Sequence, residues 1–359
     1  MIVLLPDLGQ LERTMASMFL HSSGTPLHFV IVTDRKSLES AGEALGNIVS
    51  KELAMQVIVD MHWAWRRKKG LAAIRFSFVN IDDIIEINGE FIAALKRHKV
   101  IGDDVVTKDK YAADLFYVAP LYHLAFLGMD KIIFIDSSDL IFATDVKDLQ
   151  ELFENIGDEA VMSIGLDLSP HYRINLNDYI QSHPSTHLGQ PGPCQGLNTG
   201  VVLYDLDKMR QSITYNSYLT TPMVDALFKT YNMSITVGDQ DFFTLLSFHS
   251  NNLISILPCQ FNTQTSMQYW AANKESFHSF HFCDVPSSIK IFHGNGCGPH
   301  PEQCDSPKAP LAEYREYVNI FIQVVTINNF WKFLARVSQA ENSLDLIIND
   351  LIDLFFSIK

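Results

Sequence analysis

The chain has 359 residues, room for one large domain or two small ones, and its 47% hydrophobic and 19% charged composition is that of an ordinary globular protein. Its 41 acidic against 27 basic side chains give a formal net charge of −14, without the clustered Lys and Arg that binding a nucleic-acid backbone requires. No apolar run reaches the roughly 18–20 residues of a membrane span, and Met1 leads into Ile2-Val3-Leu4-Leu5 with no charged leader, so neither an export signal nor an anchor is expected.

The first half alternates short apolar strands with helix-like stretches, the rhythm of an α/β fold with a parallel sheet. A strand is predicted at Ile2 to Leu5, a helix around Leu11 to Leu20, and strands at Leu27 to Val32 and Met55 to Val59. Helices at Gly89 to Lys96 and Ala112 to Ala125 follow, then a strand at Lys131 to Ile135. Val146, Leu149, Leu152, Phe153 and Ile156 recur at helical spacing, and Val161 to Ile164 and Val201 to Tyr204 read as further strands. Between those two strands, Ser182 to Thr199 is rich in Pro, Gly, Ser and His and reads as a long functional loop. From Leu311 onward, apolar residues at helical spacing predict two C-terminal helices packed on the domain.

The cysteines, Cys194, Cys259, Cys283, Cys297 and Cys304, lack the paired CxxC spacing of a zinc site and fit one or two disulfides. With the glycosylation sequon Asn232-Met233-Ser234, they point to an oxidising, lumenal compartment.

Four segments carry candidate chemistry. Asp136 and Asp139 fall just past the strand at Lys131 to Ile135, where open α/β sheets bind ligands. Two carboxylates with no basic neighbour suit a hard cation such as Mn²⁺ or Mg²⁺; the alternative is a solvated acidic turn or helix cap. Ile289 to Phe292 forms a strand ending in His293, followed by Gly294, Asn295 and Gly296. The imidazole would complete a manganese site and the glycines would let backbone approach phosphate, unless His293 is purely structural. Asn198 and Thr199, between Gly196 and Gly200, are placed to bond sugar hydroxyls or to form an ordinary turn. In Gly238-Asp239-Gln240-Asp241, Asp239 reads as a helix N-cap and Gln240 faces the same end of the sheet. Tyr269 and Trp270 would offer an aromatic platform to an acceptor, or simply fill core.

Taken in order, DKIIFIDSSDLIF, GLNTGVVLYDLDKMRQS, GDQDFFTLL and IKIFHGNGCGPHPE resemble the signature series of glycosyltransferase family 8, over roughly Ile2 to Pro301. The resemblance implies a GT-A-type nucleotide-sugar-binding fold, with a mostly parallel central sheet flanked by helices. Its catalytic domain would span residues 1–308, with a helical extension at 309–359. It further implies a retaining transferase that uses UDP-xylose to add an α1,3-linked xylose to a xylosyl-glucose glycan on EGF-like repeats of Notch-type proteins. The setting would be the endoplasmic reticulum or Golgi lumen, the family's membrane anchor being absent from this chain. A related transferase with another UDP-sugar or acceptor, and a non-catalytic UDP-binding homologue, are the alternatives.

By position, the resemblance assigns Asp136, Asp139 and His293 to Mn²⁺, with Mg²⁺ as the other candidate, gripping the UDP diphosphate. It places Leu5, Pro6 and Asp7 at the nucleotide, Asn198 and Thr199 on the donor-sugar loop, and Gln240, with Asp239, nearest the reacting centre. Ser138, Trp270 and Asn295 complete the substrate contacts expected. The family has Asp-x-Asp, whereas two serines separate the carboxylates here, so both reach one ion only if the chain bulges at the turn. Otherwise Ser138 takes the second ligand position. For the cysteines, the resemblance implies a Cys259 to Cys283 disulfide, with Cys297 pairing with Cys304 or Cys194.

Overall fold

The computed structural model describes residues 2–4, 14, 18, 21, 25–33, 74–99, 114–136, 140–169, 171–184, 188, 195–264 and 289–294. Among them the strands are β1 Ile2–Leu4, β2 Leu27–Thr33, β3 Ile74–Asn80, β4 Lys131–Asp136, β5 Leu140–Phe142, β6 Met162–Leu166, β7 Leu197–Asp205, β8 Ile254–Leu257, β9 Thr263–Gln264 and β10 Ile291–His293. Seven of these build one sheet in the order β3-β2-β1-β4-β7-β6-β8, and a small second sheet has the order β5-β10-β9. In the large sheet β7 runs antiparallel to both its neighbours, β4 and β6. Every other pairing there is parallel, as the βαβ rhythm of the sequence predicts.

Because successive side chains alternate across a strand, the large sheet builds two apolar layers. Ile132, Phe134, Val202 and Tyr204 point into one, with Tyr122, Phe243 and the buried side of the helix Ile81–Arg97. Ile133, Ile135, Val201 and Leu203 point into the other, with Phe142, Leu149, Phe153 and Ile291. β4 is therefore buried on both faces and reads as an unbroken apolar run until Asp136. Each fully buried Ile, Leu or Phe contributes about 1.5–3 kcal/mol relative to exposure.

The helix Ile81–Arg97 is kinked at Asn88, whose φ of −118° is non-helical, so the predicted helix from Gly89 to Lys96 is its second part; the first part is capped by Asn80, which accepts a hydrogen bond from the Asp82 N–H at 3.0 Å. Asp82 and Asp83 in its first turn and Lys96 and Arg97 in its last complement the helix dipole. The single helix predicted over Ala112 to Ala125 is instead a series of short pieces, Asp114–Tyr117, Ala119–Leu121 and Tyr122–Ala125. Pro120, which lacks an N–H, starts a new turn rather than continuing the old one. After β5, Asp145 caps the helix Val146–Glu151 through the Lys147 N–H at 2.9 Å and accepts from the Thr25 hydroxyl near the start of β2.

β7 starts at Leu197, four residues before the predicted strand, because Leu166 and Gly165 of β6 pair with Leu197 and Asn198. The register then shifts between Ile164 and Gly165, leaving a β-bulge in β7 around Thr199 to Val201. No helix among the described residues is long and apolar enough to cross a membrane. The strand predicted at Met55 to Val59, the helices predicted after Leu311 and the boundary at residues 308 and 309 lie outside the described residues.

Candidate active site

Asp136 is the last residue of β4, beside Leu4 of β1 at the carboxyl end of both parallel strands. On its other side the β4–β7 ladder ends with Ile135 opposite Val201, so Asp136 and Gly200 are the next residues along the two strands. Strand alternation puts Asp136 on the same side of the sheet as Phe134.

His293 reaches this point from the second sheet. It ends β10, paired with Leu140 of β5 and Gln264 of β9, and is buried. Its ring lies against the α-carbon of Gly200: a Cβ added there would sit 2.2 Å from His293 Cε1 and 2.5 Å from Nδ1. Only glycine allows that approach, so Gly200 is the floor on which the imidazole rests.

The β7 bulge is braced by amides. Asn198 Oδ1 accepts the Gly200 N–H at 3.1 Å and the Asn262 Nδ2 at 2.9 Å, while Asn262 Oδ1 lies 2.8 Å from His293 Nδ1. Across the site, the helix Asp239–His249 starts at Gly238, whose φ of 79° belongs to the region favouring glycine. Gly238, not Asp239, is thus the N-cap, and Asp239 is the first helical residue. Gln240 then points back to the bulge: its Oε1 accepts from the Thr199 N–H at 3.1 Å and its Nε2 donates to the Tyr172 hydroxyl at 3.1 Å. Tyr172 in turn donates to Asp241 Oδ1 at 2.8 Å, and Asp241 Oδ2 accepts the Thr236 and Val237 N–H groups at 2.6 and 2.7 Å.

Carboxylates at this end of the sheet are held away from their ordinary range. Asp239 keeps some residue surface, yet its carboxyl group is desolvated, which pushes its pKa well up; Asp241 and Asp136 add repulsion against hydrogen bonds from the Ala119 and Gln240 backbone. Asp167, just past β6, is buried and its pKa is pushed up to about 6 by desolvation, against hydrogen bonds from Ser169 and the nearby rings of His171 and His293. Burial likewise raises Asp241.

The sequence profile described as glycosyl transferase family 8 matches residues 30–296, about three quarters of the chain. The chain belongs to this family. It is 32% identical to mouse xyloside xylosyltransferase 1 over 197 residues, 54% of this chain and 49% of that protein. It is 33% identical to the human xyloside xylosyltransferase 1 over 168 residues, 46% of this chain and 42% of that protein. The chain thus matches about half the length of these curated relatives. The crystal structure of apo mouse xyloside xylosyltransferase 1 superposes with a TM-score of 0.63 at 22% identity, covering 85% of this chain and 98% of that one. That of the galactosyltransferase LgtC with donor and acceptor sugar analogues gives 0.51 at 14% identity, covering 89% and 95%. These likenesses show the fold: an α/β GT-A architecture, as the sequence resemblance implied.

Of the residues singled out in the sequence, this family 8 fold gathers Asp136, Asn198, Thr199, Asp239, Gln240 and His293 at one end of the sheet. Leu5, Pro6, Asp7, Ser138, Asp139, Trp270 and Asn295 lie outside the described residues. Among the described residues no three His, Cys, Asp or Glu form a group able to hold a metal. Cys259 is disulfide-bonded, and Cys283, its expected partner, lies outside them. Asp167, Tyr172 and Asn262 were not singled out. Asp167 carries the same signal as Asp136, a carboxylate following an apolar strand, whereas Tyr172 and Asn262 stand in stretches with no such pattern.

Proposed function

We propose that the chain is a metal-assisted, retaining glycosyltransferase that moves xylose from UDP-xylose to a xylosyl-glucose glycan on an EGF-like repeat. The observation that carries this reading is the convergence of Asp136 and His293 on Gly200, at the carboxyl end of the central strands of a family 8 fold. The similarity to xyloside xylosyltransferase 1 supports xylose as the sugar.

Asp136 and His293 fit a divalent cation by donor chemistry and by place. A carboxylate oxygen and an imidazole nitrogen as donors suit Mn²⁺ better than Mg²⁺, which prefers oxygen alone. Asp139 would supply the third ligand. When bound, the cation would act as a Lewis acid that neutralises the charge growing on the UDP leaving group. The protein's own part is to hold the donor. Asn198 keeps its Oδ1 for the bulge, so its Nδ2 is the group that would meet a sugar hydroxyl, beside Thr199. Gln240, clamped between Thr199 and Tyr172, stands where the acceptor hydroxyl would attack, and Asp239 lies beside it. The rate would then derive mainly from positioning and preorganised dipoles. Leu5, Pro6, Asp7, Ser138 and Asn295 would line the nucleotide, and Trp270 the acceptor. The disulfide-bonded Cys259 supports work in an oxidising compartment such as the endoplasmic reticulum or Golgi lumen.

The test is UDP binding measured calorimetrically with Mn²⁺ and with EDTA. Binding is expected to weaken at least about tenfold without metal, and Asp136→Ala to abolish the difference. Equal affinity in EDTA would remove the metal from the site. Release of free UDP from UDP-xylose, compared with UDP-glucose, then separates a xylosyltransferase from a relative with another donor. Metal-dependent UDP binding with no donor consumed would identify a non-catalytic homologue.

A further inference from the structure

Whether a histidine can serve a metal depends on which ring nitrogen carries its proton, and the surroundings of His293 decide this. The decision starts at a group that cannot be reversed: the Gly200 backbone N–H, which only donates. It points at Asn198 at 3.1 Å, so the Asn198 side-chain atom there is the amide oxygen. Asn262 approaches the same oxygen at 2.9 Å, and the Asn198 backbone carbonyl at 3.2 Å, so it presents its NH₂ group to both acceptors. Its remaining side-chain atom, Oδ1, is therefore turned to His293, where it lies 2.8 Å from Nδ1. An amide oxygen only accepts, so the proton of a neutral His293 is on Nδ1 and the lone pair is on Nε2.

We propose that Asn262 is a positioning residue for a divalent cation: through the chain Gly200 N–H, Asn198, Asn262, His293, it fixes the tautomer that offers Nε2 as a metal ligand. The inference rests on the metal reading of His293 and adds to it a residue outside the signature motifs. Three further observations support a built device. Asn262 is 1% exposed, so water does not compete for its amide. Its own N–H donates to the Cys259 carbonyl at 3.1 Å, and the Thr263 hydroxyl bonds to that same carbonyl at 3.0 Å, which anchors the residue on a tight turn held by the disulfide-bonded Cys259. Gly200 both starts the chain and makes room for the ring at its end, so one residue sets the position and the polarity of the imidazole. Both amides in the relay are uncharged, so they would orient the ring without adding a buried charge to that of the cation.

The test reads the tautomer in the metal-free wild-type protein and then the affinity for Mn²⁺ alone. Long-range ¹H–¹⁵N spectra of protein labelled at histidine, with the His293 signals assigned by their loss in His293→Gln, are expected to show the proton on Nδ1. Asn262→Leu, close in volume but without the acceptor, is expected to mix the tautomers and weaken Mn²⁺ binding about 10- to 100-fold. Asn262→Asp, which keeps an acceptor towards Nδ1, is expected to retain both the tautomer and most of the affinity. A proton on Nε2 in the wild-type protein overturns the inference even if Asn262→Leu fails to fold. So does a folded Asn262→Leu protein with unchanged Mn²⁺ affinity. Failure of wild-type protein to bind Mn²⁺ while His293 shows the expected tautomer would instead sink the metal reading, and the positioning role with it.

Discussion

The two sides of the site hold their key side chains by different chemistry. His293 is oriented through two neutral amides that end on the Gly200 N–H. Gln240 is oriented through a tyrosine that ends on a carboxyl group, Asp241, itself fixed by the Thr236 and Val237 N–H groups. Both chains terminate in backbone, so both are rigid. Only the second contains a buried acid, with the raised pKa that burial imposes. The difference follows from what each side would face. A neutral chain beside the proposed cation would leave the ligand charge to Asp136 and its partners. Beside Gln240 no cation is expected, and the carboxyl group serves as a strong acceptor that gathers the helix start, Tyr172 and the preceding turn into one unit.

The largest effect is expected from breaking the charged chain. Asp241→Ala removes the acceptor of four donors at once, the Tyr172 hydroxyl, the Thr236 N–H and hydroxyl, and the Val237 N–H. A loss of about 2–4 kcal/mol in folding stability should follow, read as a lower urea midpoint. A loss below about 1 kcal/mol would mean that water replaces the carboxyl group and that the two sides are less different than their bonding suggests. Next is Gly200→Ala, aimed at the neutral side. Its Cβ would lie 2.2 Å from a ring atom of His293, so the ring or β7 must shift. Overpacking of this kind costs about 1–3 kcal/mol. Metal-dependent UDP binding is expected to fall further than stability does, because the imidazole is displaced from Asp136. Unchanged Mn²⁺ dependence in Gly200→Ala would detach His293 from the metal.

What the sequence reveals about this site follows the same division. The position of Asp136 is legible because an apolar run buried on both faces must end where the sheet meets solvent, at the end where such sheets bind ligands. Gln240 is legible as a polar residue opening an apolar helix. His293 is weakly marked by its short strand, and gains weight only beside the family motifs. Asn262 is invisible: in Pro258-Cys259-Gln260-Phe261-Asn262 it looks like any loop amide, and its role depends on contacts to residues 31 and 64 positions away. The β7 bulge is hidden for a related reason. The composition of Ser182 to Thr199 reads as loop, whereas pairing with β6 draws Leu197 to Thr199 into the strand and spends Gly200 on a close approach. Local pattern likewise failed at Pro120 and before Asn88. Pro120 divides a helix that periodicity predicts whole, while the stretch that Asn80 caps, before the kink at Asn88, goes unpredicted.

The smallest of these changes separates orientation from stability on the Gln240 side. Tyr172 is fully buried, and its hydroxyl accepts from Gln240 Nε2 while donating to Asp241. Tyr172→Phe keeps the ring and deletes only the oxygen. Asp241 retains its two backbone donors, so the fold should lose about 0.5–1.5 kcal/mol, the usual net worth of such a bond. Gln240 keeps the Thr199 N–H but loses the bond that fixes its amide plane, and can then turn about it. The expected signature is a fall of about tenfold in kcat with the KM for UDP-xylose nearly unchanged, since the donor would still be gripped by the metal side. Mn²⁺ affinity should stay at the wild-type value, because the neutral chain to His293 shares no atom with this one. A Tyr172→Phe protein that loses Mn²⁺ affinity would show that the two sides act as one network, and the contrast between them would then be one of composition alone.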